Sequence, residues 1–502
     1  MERVATGKFA IVIKWLVWTV LGGGFLTACA PNSTNDSGNP AGEAPSSEQR
    51  QGRNTNLTRL YNEYCSKCHG ENGQGGGAGT QTLNTLEKFD QKHDKPFFDA
   101  IKNGVPDNGM EAYGQTLSDE EIWGLVVHIR ELQAQALRRQ NGSPRATNGV
   151  YNSQRAKFRV ETVVDESQGL RTPWSIDWLP DGTMLVTNRP GFLKVVRGGK
   201  AVGEIKGIPN SIEMGQGGLM EVAVHPNYAQ NGWVYLSFTD PASSGRGGQT
   251  KVVRGKLTAA GSDFNWGSEQ TIYQAPQDTY SGAGIHFGSK IVFDGKGHVF
   301  FSVGERGTNM RAQDKSTPFG KVMRVNEDGS IPADNPVSGN PMWSYGHRNQ
   351  QGLTFDLEGN LWDTEHGPRG GDEVNQVVKG ENYGWPVVAF SINYNDAPFQ
   401  TPWPKGDLKV RQPIFRWLPS IGASGLDTIR GAAFPAWQGD LVAGGLSGAN
   451  VDRIRVKAGQ LVEREELLHG MGRVRDIAVH KDGTIYVALN QPDKIIRLVP
   501  AG

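Results

Sequence analysis

The segment IDWLPDGTMLV, residues 176–186, contains two short apolar runs joined by an Asp-Gly turn. Alternating apolar runs separated by such a turn are typical of antiparallel β-hairpins. Similar pairs of apolar runs follow at residues 222, 291, 353, 432 and 477, so the intervals between starts are 46, 69, 62, 79 and 45 residues. These lengths suit four-stranded sheets with variable loops. The sequence therefore predicts an all-β, six-bladed β-propeller.

The start of this region is expected to close the ring. Residues 158–163, FRVETV, have the composition of a strand and lie far from the last hairpin in sequence. Pairing with the last blade would hide the open edges of the ring. We place the propeller at residues 156–500, after a linker at residues 141–155 that is rich in glycine and asparagine. The long insertions of the fourth unit are where we expect function to concentrate.

The three cysteines are all predicted to be covalent attachment points. Cys65-Ser66-Lys67-Cys68-His69 is a c-type haem attachment motif, in which the two thiols bind the haem vinyl groups and His69 ligates the iron. The alternative is a zinc-binding or redox-active Cys-x-x-Cys pair, which leaves the following histidine unexplained. We place this domain at residues 53–140.

Two helical patterns surround this motif. A helix is predicted before it, and a second helix begins at the capping box Ser118-Asp119-Glu120-Glu121. The apolar positions of the two helices are Leu57, Leu60, Tyr61 and Tyr64, then Ile122, Leu125, Val126 and Ile129. The segment resembles the small all-α class I cytochromes c, in which the first and last helices pack together.

The predicted sixth iron ligand is Met110. It is the only methionine between residues 2 and 183, and it lies 41 positions after His69, where the axial methionine of the cytochrome family falls. A thioether ligand raises the haem potential, which suits acceptance of electrons from an organic donor. The alternative ligands are His93, in a charged stretch, and His128, beside apolar residues of the last helix.

The N-terminus has the features of an export signal. Basic residues precede a mostly apolar run at residues 11–26, and Leu26-Thr27-Ala28-Cys29 resembles a bacterial lipoprotein cleavage site. The resemblance implies cleavage before Cys29 and lipidation of its thiol, with residues 30–52 as a flexible tether. The alternative is an uncleaved signal anchor, with the same outward topology. Both place the protein on the periplasmic side of a bacterial membrane.

The overall charge gives no indication of a nucleic-acid partner. The chain has 52 basic and 52 acidic residues, so its formal charge is zero. No long-range field therefore favours a polyanion.

Several motifs of the propeller region together resemble the soluble quinoprotein sugar dehydrogenases, which use pyrroloquinoline quinone (PQQ). The resemblance covers nearly all of residues 156–500. It implies a six-bladed propeller that binds the quinone on its top face and oxidises C1 of an aldose to a lactone. The motifs are GKVMRV (320–325), IPADNP (331–336), YGHRNQQGL (345–353), EHGPRGGDEVN (365–375) and GENYGWP (380–386).

The resemblance also implies roles for individual residues. His286 matches the base that removes the proton of the anomeric hydroxyl, and Glu305 falls where a carboxylate orients that histidine. Arg348 matches the cation beside the reduced quinone oxygen. Asn349 and Gln351 match quinone contacts, and Gln216 matches a sugar contact. Arg473 and Arg475 lie on one side of a predicted strand and match the two arginines that hold the carboxylates of the quinone.

Calcium is a further cofactor that the resemblance to the sugar dehydrogenases implies, in addition to PQQ. Gly367 and Pro368 match the carbonyl pair that holds calcium against the quinone, and Glu373 and Tyr383 match a second, structural calcium site. One departure from the family pattern is Ser447, which stands near the position of a quinone-contacting lysine in some members.

The two domains together predict a membrane-anchored quinohaemoprotein dehydrogenase. Electrons from an aldose would pass through PQQ to the haem c and on to a respiratory acceptor, another cytochrome or a terminal oxidase. One alternative is a dehydrogenase of sorbosone or of another aldehyde or alcohol. A second is a non-catalytic propeller that binds a carbohydrate or a protein, fused to an electron-transfer cytochrome.

Overall fold

The computed structural model describes residues 56–77 and 80–502, all within one compact unit. The export signal ending at Cys29 and the tether to residue 52 lie outside the described residues. Among the helices of the described part, none has the length and apolar character needed to span a bilayer.

The first region is helical. Its first helix starts at the N-cap Asn56, whose Oδ1 accepts a hydrogen bond of 2.8 Å from the Arg59 amide. Single 3₁₀ turns cover Gln91–His93 and Pro106–Asn108. The helices are α1 (Leu57–Tyr64), α2 (Ser66–His69), α3 (Leu86–Phe89), α4 (Asp94–Asn103) and α5 (Asp119–Asn141).

Helix α5 closes this region by packing against α1. The predicted capping box is confirmed, because the Ser118 hydroxyl accepts from the Glu121 amide and the Glu121 carboxylate accepts from the Ser118 amide. The two helices approach closely at Gly124, where an added Cβ would lie 2.6 Å from Leu57 Cδ2. Glycine therefore sets the distance at which the helices cross.

The rest of the chain forms six four-stranded antiparallel blades, as the sequence predicts. Blades 1 and 2 join at their outer edges through a short parallel pairing at Ile205 and Phe264. A short helix α6 (Tyr228–Asn231) lies in blade 2. The strands of blades 1–3 are β3 (Pro173–Trp178), β4 (Met184–Asn188), β5 (Phe192–Arg197), β6 (Lys200–Lys206); β7 (Leu219–Val224), β8 (Trp233–Pro241), β9 (Gly248–Ala260), β10 (Asp263–Gln274); β11 (Ile291–Phe293), β12 (His298–Val303), β13 (Lys321–Asn326), β14 (Met342–Tyr345).

Blade 6 closes the ring with a strand from the start of the propeller. Strand β2 (Lys157–Asp165) pairs antiparallel with β25, and the short β1 (Tyr151–Asn152) extends the sheet beyond it. The innermost strand β23 contacts β3 of blade 1. The predicted closure is therefore confirmed. The strands of blades 4–6 are β15 (Gln350–Phe355), β16 (Leu361–Glu365), β17 (Asp372–Val377), β18 (Phe415–Trp417); β19 (Ala423–Thr428), β20 (Leu441–Gly445), β21 (Asn450–Lys457), β22 (Gln460–His469); β23 (Arg473–Val479), β24 (Ile485–Asn490), β25 (Lys494–Pro500).

One predicted strand is wrong. The innermost strand of blade 5 is β19, whereas residues 432–434 form a loop before a 3₁₀ turn at Pro435–Trp437. Proline cannot donate to a sheet ladder, and Phe434 is buried by stacking on Trp437 with 4.3 Å between ring centroids. The apolar run at residues 432–434 is therefore a loop that packs into the core outside the sheet.

Candidate active site and haem pocket

The Cys-x-x-Cys-His motif lines a cavity of about 570 Å³ in the helical region. Cys65 is the C-terminal cap of α1, while Cys68 and His69 lie in α2, so the helix junction brings all three side chains to one wall. The apolar side chains of the lining include Leu83, Ile101, Leu117 and Leu125.

Met110 lies in the lining of the same cavity. It pairs with Val105 through Val105 N–H to Met110 O at 2.9 Å and Met110 N–H to Val105 O at 3.2 Å, around the turn at Pro106–Asn108. His128 packs instead against the Tyr61 ring at 5.1 Å, and His93 lies 6.3 Å from the Phe97 ring. Of the three candidate ligands, only Met110 is among the residues that line the cavity.

These groups fit a covalently bound haem. Cys65 and Cys68 are free thiols, so both can form thioether bonds. The Nδ1 atom of His69 is buried and has no hydrogen-bond partner in the described part of the chain. One imidazole and one thioether in an apolar cavity are a known pair of haem ligands.

A second cavity, of about 250 Å³, lies on one face of the propeller and is lined by three arginines. Arg189, Arg473 and Arg475 surround it, and none of the described residues in its lining is acidic. Arg475 Nη1 donates to Gln351 Oε1 at 3.1 Å, and its guanidinium lies 4.1 Å from the centre of the Trp174 ring. Burial, followed by the charges of Arg473 and Arg189, lowers the pKa of Arg475 to about 9. The site therefore fits a ligand with several carboxylates, as PQQ has.

His286 and Glu305 form a hydrogen-bonded pair beside this cavity. The imidazole Nδ1 contacts Glu305 Oε1, and Asn309 N–H donates to the other carboxylate oxygen at 2.7 Å. Glu305 is completely buried, and the Gln216 Oε1 atom accepts from the His286 amide at 2.9 Å. Gln216 lines the cavity and also positions His286, a role that its sequence context did not indicate.

The electrostatics favour a neutral imidazole beside an ionised carboxylate. Burial lowers the pKa of His286, and this effect outweighs the opposing effect of the hydrogen bond that its Nδ1–H donates to Glu305. Burial acts to raise the pKa of Glu305, but the hydrogen bonds from His286 and the Asn309 amide, with the charge of Arg348, outweigh it, so that pKa is lowered. An ionised Glu305 accepts from Nδ1–H, which leaves the Nε2 lone pair of His286 available as a base.

Arg348, Asn349 and Gln351 connect this pair to blade 4. Arg348 is 6% exposed, and its Nη1 donates to the carbonyls of His366 and Gly367 at 3.3 and 3.1 Å. Asn349 Oδ1 accepts from the Gly288 amide at 3.1 Å and from Gln351 Nε2 at 3.2 Å. The predicted site residues of blades 3 and 4 are therefore brought together.

Sequence reasoning did not single out His366 or Arg189. His366 lines the arginine-lined cavity and the neighbouring cavity at Gly367 and Pro368. Its Nδ1 lies 3.2 Å from Asn349 Nδ2, so it accepts a hydrogen bond there and Nε2 carries the proton. Burial, then the charge of Arg348, lowers the pKa of His366 well below its usual value. Its position next to Gly367 in the 365–375 motif was the available signal.

The predicted calcium residues line the neighbouring cavity. Gly367, Pro368, Glu373 and Tyr383 all contribute to it. The Tyr383 hydroxyl donates to Gln376 O at 2.6 Å and accepts from Val378 N–H at 2.8 Å, so it is already engaged within the protein.

A cluster of buried acids adjoins this cavity. His347, Asp363 and Glu365 each offer one atom that can bind a metal, and these three atoms lie within 4.8 Å of one another. Neither carboxylate oxygen of Asp363 has a hydrogen-bond partner among the described residues. Burial and then the charge of Glu365 raise the pKa values of Asp363 and Glu373 well above their usual range. A group of buried, hard oxygen donors fits a bound calcium ion.

The geometry of this face agrees with the comparison to protein families. Residues 170–497 match the family model described as glucose/sorbosone dehydrogenase. The chain belongs to this family. Residues 52–129 match a second model, described as cytochrome c oxidase, cbb3-type, subunit III, which covers the haem-binding region.

Relatives of the family cover most of the propeller. The aldose sugar dehydrogenase YliI of Escherichia coli K12 is 37% identical over 350 residues, which is 67% of this chain and 91% of that protein. Quinoprotein glucose dehydrogenase B of Acinetobacter calcoaceticus is 31% identical over 44% of this chain and 51% of its own length. The PQQ-bound structure of an aldose sugar dehydrogenase from Streptomyces coelicolor is 27% identical and matches with a TM-score of 0.55, over 69% of this chain and 99% of that one.

Proposed function

We propose that this protein oxidises the C1 hydroxyl of aldose sugars to lactones with PQQ and calcium, and passes the electrons to its own haem c. The observation that carries the proposal is the His286–Glu305 pair together with Gln216, which accepts a hydrogen bond from the His286 amide and lines the arginine-lined cavity. The names of the relatives support a sugar substrate, and the PQQ-bound relative supports the quinone.

The residues of the site divide the chemistry among them. Bound PQQ would supply the hydride acceptor. His286 Nε2 removes the hydroxyl proton, while the ionised Glu305 holds the ring in the required tautomer and stabilises the imidazolium. The buried guanidinium of Arg348 stabilises negative charge that develops on the acceptor. Arg473 and Arg475 bind the cofactor carboxylates, together with the polar groups of Asn349 and Gln351.

Calcium is assigned to the Gly367–Pro368 carbonyls, with a second ion at the acidic cluster around Glu373 and the Tyr383 carbonyl. When bound, the first ion would polarise the reacting carbonyl of the cofactor. The support is that Glu365 and Glu373 line the same cavity as these carbonyls, and that Asp363, which clusters with Glu365, has two buried carboxylate oxygens without a partner among the described residues.

The haem ligands are His69 and Met110, with thioether bonds at Cys65 and Cys68. We further propose that lipidated Cys29 anchors the protein on the periplasmic side of the membrane, where the haem delivers electrons to a respiratory acceptor. The cleavage motif before Cys29 and the polar tether after it support this localisation.

Reconstitution tests the activity. The haem-loaded protein, supplied with PQQ and calcium, is screened against aldoses, sorbosone and simple alcohols while the reduced haem absorbance is followed. Haem reduction by aldoses supports the proposal. Haem reduction by sorbosone alone would show that the protein is a sorbosone dehydrogenase of the same family. If the protein does not bind PQQ, the propeller is a binding module and the proposal fails.

A further inference from the structure

The propeller has a surface that holds the helical cytochrome region in one position. We call it the docking surface, and its centre is aromatic. The Trp123 ring of α5 is 1% exposed and lies 6.0 Å from the Phe390 ring and 5.4 Å from the Trp403 ring. The docking surface comprises Arg369, Phe390, Asp396, Trp403 and Arg416.

Charged groups complete the docking surface. The Arg369 guanidinium donates two hydrogen bonds to Glu131 of α5, at 2.9 and 2.8 Å, and a third to Asp396 at 3.0 Å. Asp396 Oδ2 accepts from the Thr58 amide at 2.9 Å, in the first turn of α1. Two propeller residues therefore hold both helices that form the core of the cytochrome. A bidentate arginine–carboxylate pair stabilises the contact and also fixes the orientation of the two groups relative to each other.

The docking surface is the reverse side of the wall of the active site. Phe390 lines the cavity formed by Gly367 and Pro368 and contacts Trp123 on its other side. Arg369 directly follows Pro368 in the chain. A single aromatic side chain, Phe390, therefore connects the wall of this cavity to the cytochrome.

The haem cavity lies on the other side of α5. Leu125 lines the haem cavity, whereas Val127 faces the propeller, where a Cβ at Gly370 would lie 3.3 Å from Val127 Cγ1. At about 100° per residue these two positions are about 200° apart around the helix, and a helix with its side chains is about 10 Å across. Helix α5 therefore lies between the docking surface and the haem cavity.

We propose that the cytochrome stays docked during turnover and that electrons cross from the propeller to the haem through Phe390, Trp123 and α5. The external acceptor then approaches the haem from the side that faces away from the propeller. The inference rests on the proposed function. Oxidation of one C1 hydroxyl to a lactone carbonyl releases two electrons and two protons. His286 passes one proton to solvent, and the other is released when the cofactor is reoxidised. A haem held by Cys65, Cys68, His69 and Met110 would accept the electrons one at a time, with a one-electron oxidant such as ferricyanide removing each before the next transfer.

Two substitutions on the cytochrome side test the route, since neither residue belongs to the sugar site. We expect Trp123→Leu to slow sugar-driven haem reduction at least tenfold in stopped-flow measurements. Glu131→Arg places two cations together and should release the cytochrome. The matched control is Glu161→Arg, which breaks the exposed Arg497–Glu161 pair of blade 6 at 2.7 Å. Sugar oxidation with a phenazine dye that takes electrons directly from the quinone should be unchanged in all three variants.

Small-angle X-ray scattering of the protein without PQQ or calcium gives a readout independent of activity. We expect the compact docked profile for the wild type and for Glu161→Arg, and a larger radius of gyration for Glu131→Arg. Haem reduction at the wild-type rate in both Trp123→Leu and Glu131→Arg, or an extended wild-type profile, would overturn the inference. If the wild type fails to oxidise sugars even with the dye, the proposed function fails, while scattering still decides whether the cytochrome is docked.

Discussion

His286 is held in a left-handed backbone conformation, with φ of +53°. A residue other than glycine in this region costs on the order of 1–3 kcal/mol, so the surrounding structure must hold it there. Gly304 packs directly under it, since an added Cβ would lie 2.2 Å from His286 O. The fold thus directs the imidazole towards Glu305 at an energetic cost, as expected for a residue with a chemical role.

The acid limb of the pH–rate profile should report His286. Only the neutral imidazole accepts a proton, and burial lowers its pKa, so kcat/KM should rise with pH through a midpoint below about 6.5 and then level off. His286→Asn should lose about 10²–10⁴ in rate and lose this limb. The dye-linked assay measures both. Dithionite should still reduce the haem of the variant fully, and an unchanged acid limb in the variant would exclude His286 as the base.

His366 should contribute a hydrogen bond to the cofactor. Its buried Nε2–H has no partner among the described residues and borders the arginine-lined cavity. His366→Leu should weaken PQQ binding about threefold to tenfold, the loss of roughly one hydrogen bond, whereas His366→Gln keeps a donor and should bind more tightly than the leucine variant. Titration of the metal-loaded protein without quinone measures both affinities. Equal affinity in the two variants would contradict this role.

Met110→Ala should leave the haem covalently attached but remove its thioether ligand. The reduction potential should fall, because thioether ligation favours ferrous iron. Absorbance spectroscopy of the reduced haem and a redox titration measure the change, with His93→Ala as the control that leaves both unaltered. An unchanged spectrum and potential would show that another residue ligates the iron.

At the scale of elements, the crossing of α1 and α5 determines the stability of the cytochrome. Alanine is a better helix former than glycine by about 1 kcal/mol, yet a Cβ at Gly124 would clash with buried Leu57. We therefore expect Gly124→Ala to destabilise the cytochrome by about 1–3 kcal/mol. Urea unfolding followed at the haem band measures this.

The double variant separates the clash from other effects of this substitution. In a Leu57→Ala background the clash is absent, so Gly124→Ala should become neutral or stabilising. If the substitution destabilises equally in both backgrounds, close packing of the two helices is not the cause. The pair Gln135→Gly and Gln135→Ala, at an exposed position of α5, measures the difference in helix propensity between glycine and alanine without the clash.

For the whole molecule, the cation sites should couple activity to the stability of blade 4. Buried Asp363, Glu365 and Glu373 lie close together within this blade, where burial and then the charge of Glu365 raise the pKa of each of the other two. Removing metal with a chelator should abolish sugar oxidation and lower the melting temperature of the propeller, and calcium should restore both. Magnesium is the control, since its smaller, rigid octahedral shell suits this site poorly. Full activity in metal-free protein would contradict the calcium assignment.

The repeated features were readable in the chain. Period-two apolar runs with turns predict strands wherever they occur, so six blades and the closing strand β2 followed from the sequence. Short motifs with fixed spacing, such as Cys65 to His69 and the Ser118 capping box, are local and equally readable. Strand β19 was missed because Ser424 and Gly425 interrupt its apolar pattern, while a core loop at Phe434 imitated one.

The tertiary structure alone decided which distant residues meet. Arg189 joins Arg473 and Arg475 only because blades 1 and 6 are neighbours in the closed ring. Likewise, Arg369 meets Glu131 across 238 residues of chain, and no local pattern encodes that contact. Local propensity acts over a few residues, whereas a shared cavity or a docking surface depends on packing across the whole molecule. For this reason the chemistry of the site could be named from the sequence, but the route between its two halves could not.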